Sequence, residues 1–221
     1  MQDMITYSRN FAGNFLTLDY FSGVKHPVNE TRLSQIFVMA KRIYNQTSLF
    51  GPLYAYLVVL SPPAEIKADI SRIKKELNSI CDISPRNLKS IAHITLTDKL
   101  TDEADLHETV GELVGHKQPF TVKLKGWNFF DHGHSITLYI DVETPDPVIK
   151  LATLLKSSSK SPHISLAKRI SHDTFEKLRP YLEQMDYAAE WTCTEVTVLR
   201  KLMSEKQLGW KDAFKVPLAG Q

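Results

Sequence analysis

The chain reads as an α+β protein made of a duplicated, two-lobed unit. Antiparallel sheets are expected to line a central cleft, with helices outside and pseudo-twofold symmetry between the lobes. Three observations lead there. The tetrapeptide His93-Ile94-Thr95-Leu96 returns as His163-Ile164-Ser165-Leu166. Each copy sits in the same local series, a helix before it and a helix then a strand after it, and regular recurrence of this kind marks a duplicated unit. Finally, 221 residues with 43% hydrophobic content suffice for one large domain or two halves sharing a sheet system.

Residues 1–30 mix Gly, Asn, Ser and aromatics without a sustained period and predict no regular element. From Thr31, apolar residues at Leu33, Ile36, Phe37, Ala40, Ile43 and Tyr44 recur at helical spacing and predict an amphipathic helix ending near Gly51-Pro52. Residues 1–50 are therefore read as an N-terminal extension, and 51–221 as the main domain. Tyr54 to Leu60 is an apolar, β-favouring run, short enough for a buried strand. Ser61-Pro62-Pro63 opens a helix striped by Ile66, Ile70, Ile73 and Leu77, with Lys67, Asp69, Lys74, Lys75 and Glu76 on its other faces.

A turn at Pro85-Arg86-Asn87 leads to a strand over Ile91 to Thr97. The next helix carries Leu106, Val110, Leu113 and Val114, with Thr101 or Asp102 as its cap. Phe120 to Phe130 and Ile136 to Val142 predict a hairpin around Asp131-His132-Gly133-His134. After Pro145 and Pro147 a helix runs through Val148, Leu151, Leu154 and Leu155, and a serine-rich loop delivers the second histidine strand. Ser171 or Asp173 caps a helix through Phe175, Leu178, Tyr181 and Leu182. Thr192 to Leu199 predicts one further strand, and Phe214 to Leu218 an edge strand.

Composition excludes several classes of function. Lys+Arg 27 against Asp+Glu 25 gives a net charge of +2, far from the excess needed to grip long duplex nucleic acid, yet compatible with a small phosphorylated ligand. Cys81 and Cys193 are the only cysteines, too few for a disulfide framework and suited to buried thiols in a reducing cytosol. The first residues carry no secretory pattern and no apolar run would span a bilayer, so a soluble cytoplasmic protein is expected.

Paired His-x-Thr/Ser-x motifs, one in each half of a duplicated α+β body, resemble the 2H phosphoesterase superfamily, which includes the bacterial 2'-5' RNA ligase-like proteins and the cyclic phosphodiesterases. The likeness runs from Tyr54 to Leu218. It includes the opening strand that ends in Ser61-Pro62-Pro63 and the hairpin of Gly126-Trp127-Asn128-Phe129-Phe130 with Ile136-Thr137-Leu138-Tyr139. Ser165 departs from the Thr common at this position but keeps the hydroxyl. The resemblance implies a phosphoesterase acting on a 2',3'-cyclic phosphate or a 2'-5' linkage at a nucleotide or RNA end.

The residue types suit that chemistry without a metal or cofactor. One neutral imidazole can act as general base while a second, protonated, acts as general acid, because a free pKa of ~6.5 keeps both forms within reach. On a strand, residues two apart face the same way. Thr95 and Ser165 therefore accompany His93 and His163 and can donate to phosphoryl oxygens. Lys99, Lys168 and Arg169 are candidates for added positive charge. Tyr56, Phe129, Phe130 and Tyr139 are candidates for a platform under a base, with core packing the alternative for each.

Two rival functions come from other classes. One is a nucleotide or RNA-end binding module that keeps the cleft and catalyses nothing. The other is a metal-dependent hydrolase built on His132 and His134 beside Asp131. Against the latter, Gly133 sits where a hairpin turn needs it, and no further ligand is placed by pattern.

Overall fold

The alternation of β-branched and aromatic residues after Pro52 produces β1 (Tyr54–Leu60), whose Tyr56, Val58 and Leu60 enter the core. The computed structural model describes residues 51–204, 210 and 212–220. The helix expected between Thr31 and Gly51 lies outside the described residues. After β1 come α1 (Ala64–Ile80), a short α2 (Pro85–Lys89), β2 (Ile94–Thr101) and α3 (His107–Val114). The chain continues as β3 (Phe120–Asp131), β4 (Ile136–Val142), α4 (Asp146–Leu154), β5 (His163–Ile170) and α5 (His172–Gln184). It closes with β6 (Ala188–Cys193), β7 (Glu195–Leu202) and β8 (Asp212–Pro217).

The two expected sheets are joined into one eight-stranded antiparallel sheet, in the order β6-β3-β4-β5-β2-β1-β7-β8. Its lobes mirror each other about the β5–β2 seam, where Ile164 and Ile94 form the single register pair. In each lobe the histidine strand is followed by the strand that opens its own half, β4 or β1. The next strand is exchanged: β3 of the first half pairs with β4, and β7 of the second pairs with β1. The helices cross over as well, since α1 packs on β5 and α4 on β2. Such exchange ties both halves into one hydrophobic core, which includes Ile94, Leu96, Ile164 and Leu166 at the seam.

Local details depart from the sequence reading in three places. Pro85-Arg86-Asn87 forms the helix α2 instead of a plain turn, because Pro suits a first helical turn and Ser84 reverses the chain at φ +79°. The segment around Thr192 makes two strands, β6 and β7, broken at Thr194. The cap of α3 is neither Thr101 nor Asp102: β2 runs on through Thr101, and the Asp105 carboxylate accepts from His107 N at 2.8 Å. Ser171 does cap α5, its Oγ accepting from Thr174 N at 3.1 Å. No helix among the described residues is long and apolar enough to cross a membrane.

Candidate active site

The seam pair Ile94↔Ile164 organises the site. In an antiparallel ladder the residue before one partner lies across from the residue after the other. His93 therefore neighbours Ser165, and Thr95 neighbours His163. Both isoleucines are fully buried on the helix side of the sheet, which turns all four polar side chains to the opposite face. His93 and Ser165, one from each half, line the same cavity.

Each histidine is held in the same way. His93 Nδ1 lies 2.8 Å from the carbonyl of Ile91, and His163 Nδ1 lies 2.8 Å from the carbonyl of Ser161. A carbonyl only accepts, so Nδ1 carries the hydrogen in both rings, and Nε2 is left for chemistry. Burial pushes both imidazoles below the ordinary histidine pKa, against the backbone hydrogen bonds that favour the charged forms. Positive charge nearby works in the same direction as burial. Lys168 lowers both rings, Lys74 lowers His93, and Asp141 offsets part of the effect at His163.

Strand irregularities decide which further side chains reach this face. Between Leu138↔Ala167 and Tyr139↔Ser165, β5 carries an extra residue. Leu166 and Ala167 consequently both turn into the core, and Lys168 emerges on the side of His163 and Ser165. Asn87 fixes this turn of chain from across the seam: its Oδ1 accepts from Lys168 N at 3.0 Å, and its Nδ2 donates to Lys168 O at 3.1 Å. In β3 a similar shift falls between Leu124 and Trp127, at Gly126, whose φ of +67° is costly for other residues. Beyond it Trp127 and Phe129 face the helices, where Phe129 packs on Phe175 with centroids 4.6 Å apart. Phe130 faces the site, stacked on Tyr139 at 4.4 Å and set edge-on to His163 at 5.2 Å.

Of the sequence candidates, then, His93, Thr95, His163, Ser165, Lys168, Phe130 and Tyr139 share one face, and Arg169 lines the cavity with His93. Three others are placed elsewhere. Tyr56 is wholly buried with Val58 and Leu60, its hydroxyl donating to the Glu103 carbonyl at 2.9 Å. Phe129 is the helix-side neighbour of Phe130. Lys99 pairs with Glu103 at 3.4 Å on the surface, its strand position set opposite Tyr56.

The expectation that Lys74 lies on a face of α1 other than the apolar stripe is corrected by the structure. Lys74 is 1% exposed, its Nζ donating to Ser90 Oγ at 2.7 Å and to Ser90 O at 2.8 Å, and burial lowers its pKa to about 8. Its spacing was the available signal, since it follows Ile70 by one helical turn and so shares the apolar stripe. Asn87 carried no such signal, as its partner Lys168 is remote in sequence. The turn histidines do not converge: His132 Nε2 lies 3.1 Å from Thr137 Oγ1, while Asp131 is engaged by His172 at 3.1 Å and by Gly133 N at 2.7 Å. Among the described residues no three His, Cys, Asp or Glu side chains gather as a metal site.

A histidine and a hydroxyl from each of two related halves, met at the seam of one antiparallel sheet, define a protein of the 2H phosphoesterase class. More particularly, residues 62–204, more than half of the chain, match the family model of the 2'-5' RNA ligase superfamily, and the chain belongs to that superfamily. Among solved structures, apo LigT of E. coli aligns with 16% identity over 76% of this chain and 99% of its own, at a TM-score of 0.50. TT0787 of Thermus thermophilus aligns with 16% identity over 76% of this chain and 99% of its own, at 0.49. At such identity the LigT likeness speaks to the fold alone. No curated protein matches the sequence.

Proposed function

We propose that this protein is a metal-independent phosphoesterase that acts on 2',3'-cyclic phosphates or 2'-5' phosphodiesters of nucleotides or RNA ends, with His93 and His163 as its acid–base pair. The observation that carries the reading is the matched tethering of the two rings. Each Nδ1 donates to the carbonyl two residues upstream, and each Nε2 is thereby free to exchange a proton. Membership of the superfamily supports phosphoesterase-type chemistry in general, and the residues argue for the particular reaction.

In hydrolysis of a cyclic phosphate, one neutral ring accepts a proton at Nε2 from water as the water oxygen bonds to phosphorus. The other ring, protonated, gives its Nε2 proton to the ribose oxygen as the phosphorus–oxygen bond to that oxygen breaks. The rings end with their protonation states exchanged, and proton transfer with solvent restores them. Ligation uses the same transfers with a 5'-hydroxyl in place of water: the base ring takes its proton as its oxygen bonds to phosphorus, and the acid ring protonates the ribose oxygen that leaves. Thr95 and Ser165 donate to the non-bridging oxygens, and Lys168 adds the charge that a crowded phosphoryl centre requires. Phe130 and Tyr139, beside His163, offer a stacking surface for a base.

The test is turnover of 2',3'-cyclic mononucleotides and of a short RNA with a 2',3'-cyclic end, in excess EDTA. Activity is expected to survive chelation and to fall by about 10³-fold in His93→Ala and in His163→Ala, the scale of an acid or base lost. Full activity in either variant removes the pair, and loss of activity in EDTA removes metal independence. A ligand-induced rise in Tm without turnover would replace the enzyme by a nucleotide-binding module.

A further inference from the structure

The four groups at the seam need positive charge at one phosphoryl centre, and Lys168 supplies it. The cavity beside His93 holds more. Its volume is about 520 Å3, and its lining includes Ser84, Arg86, Ser90, His93, Lys168 and Arg169. That volume falls in the range of pockets for whole small ligands, well beyond a lone phosphate. Three lining residues are cationic and none is acidic. Neither Arg86 nor Arg169 forms an ion pair with any described carboxylate. Arginine offers a planar fork of donors matched to phosphate oxygens, and Ser84 and Ser90 add hydroxyls to the same wall.

The backbone around this cavity is specialised too. Ser84 (φ +79°) and Arg169 (φ +59°) are two of the three non-glycine residues at positive φ among the described residues, and both line it. Such conformations persist only where the surroundings hold them; here Asn87 bonds both backbone groups of Lys168, directly before Arg169. The flank beside His163 is different, formed by the uncharged rings of Phe130 and Tyr139. A ligand spanning the seam would meet aromatic surface at one end and arginine at the other.

We propose that the substrate carries a second phosphate beyond the one that reacts, and that Arg86 and Arg169 hold it in the cavity beside His93. This rests on the phosphoesterase reading for the location of the reacting phosphate, and within that reading it favours ligands with a further phosphate over cyclic mononucleotides that carry none. That group is either the 5'-phosphomonoester of a nucleotide or the next phosphodiester of an RNA end.

Calorimetry distinguishes these without requiring turnover. The probes are adenosine 3'-phosphate, adenosine 3',5'-bisphosphate and the dinucleotide ApA with a 3'-terminal phosphate. The native protein is expected to bind at least one doubly phosphorylated probe tenfold or more tightly than the monophosphate. The bisphosphate being preferred assigns a 5'-monoester, and the dinucleotide a diester. In Arg86→Gln, and in Arg169→Gly, which suits the positive φ, that ratio should fall to within about threefold of one, with Tm confirming the fold. A native ratio near one, a ratio that persists in both variants, or no binding of any probe overturns the proposal. A protein that discriminates among these probes but hydrolyses no cyclic phosphate would keep the second site and discard the enzyme. One that hydrolyses cyclic mononucleotides with no preference among the probes would do the reverse.

Discussion

The lobe of His93 and the lobe of His163 share a frame and differ in lining. In both, the ring is tied to the carbonyl two residues upstream, the hydroxyl follows two residues downstream, and an extra residue then disturbs the ladder. The neighbours diverge from there. Thr95 lies opposite Val59, whereas Ser165 lies opposite Tyr139. The place of Lys168 in the second repeat is taken by Asp98 in the first. Beside His93 stand Lys74 and the cationic cavity; beside His163 stand Phe130, Tyr139 and Asp141. Symmetry thus preserves the placement of the two imidazoles and two hydroxyls, while the broken symmetry around them gives the two flanks different linings.

The sharpest way to disturb this arrangement is at Lys168, whose charge acts on both rings. Lys168→Met removes the proposed donor to the phosphoryl oxygens and should lower kcat/KM by about 100-fold. The sign of its pH effect follows from the same charge. Lys168 lowers the pKa of His93 and of His163, so its loss raises both, and the two limbs of the bell-shaped kcat/KM profile should move to higher pH. A lower rate with limbs unmoved would mean that Lys168 does not share the field of the two rings.

Adjacent aromatics give a smaller and more local contrast. Phe130→Ala removes the ring stacked on Tyr139 beside His163, and a stacking surface is worth about 1–3 kcal/mol per base, so KM for a cyclic nucleotide should rise about tenfold. Phe129→Ala should leave KM in place and lower stability by about 1 kcal/mol through the lost contact with Phe175. Equal KM effects at both positions would contradict the division of faces set at Gly126.

Lys74 should have the least effect on rate, a few-fold at most, and a distinct one on stability. Its folded pKa of about 8 lies below the ordinary 10.5, so between those values the unfolded chain binds more protons than the native protein. Stability gained from relieving the buried charge therefore grows as pH rises through that window, by about 3 kcal/mol in all. Denaturant unfolding of the native protein and of Lys74→Met at pH 7.5 and pH 10.5 isolates the contribution. The difference between them should change in favour of the native protein at the higher pH, and a constant difference would place the ammonium in contact with water.

Much of this molecule was legible in the chain. Hydrophobic periodicity located β1, α1, the β3–β4 hairpin and α5, because the period of a strand or helix is a local property. The two histidine motifs indicated the duplication and the candidate site, since a histidine and hydroxyl two apart must share a strand face. Alternation also carried information against two of the aromatic candidates. Phe129 and Phe130 are neighbours on one strand and cannot both face the site, and Tyr56 alternates with Val58 and Leu60 into the core.

Tertiary structure decided the rest. The meeting of His93 with Ser165 depends on one ladder pair between strands remote in sequence, and the exchange of β3 and β7 depends on packing across both halves. Which of two adjacent aromatics faced the site was settled by one extra residue at Gly126, and the emergence of Lys168 by another in β5. A shift of one residue reverses every side chain beyond it, and no local period records where it falls. Pairing between distant strands sets those shifts, through the burial each register achieves. The burial of Lys74 likewise required Ser90 to arrive from another element and satisfy its ammonium.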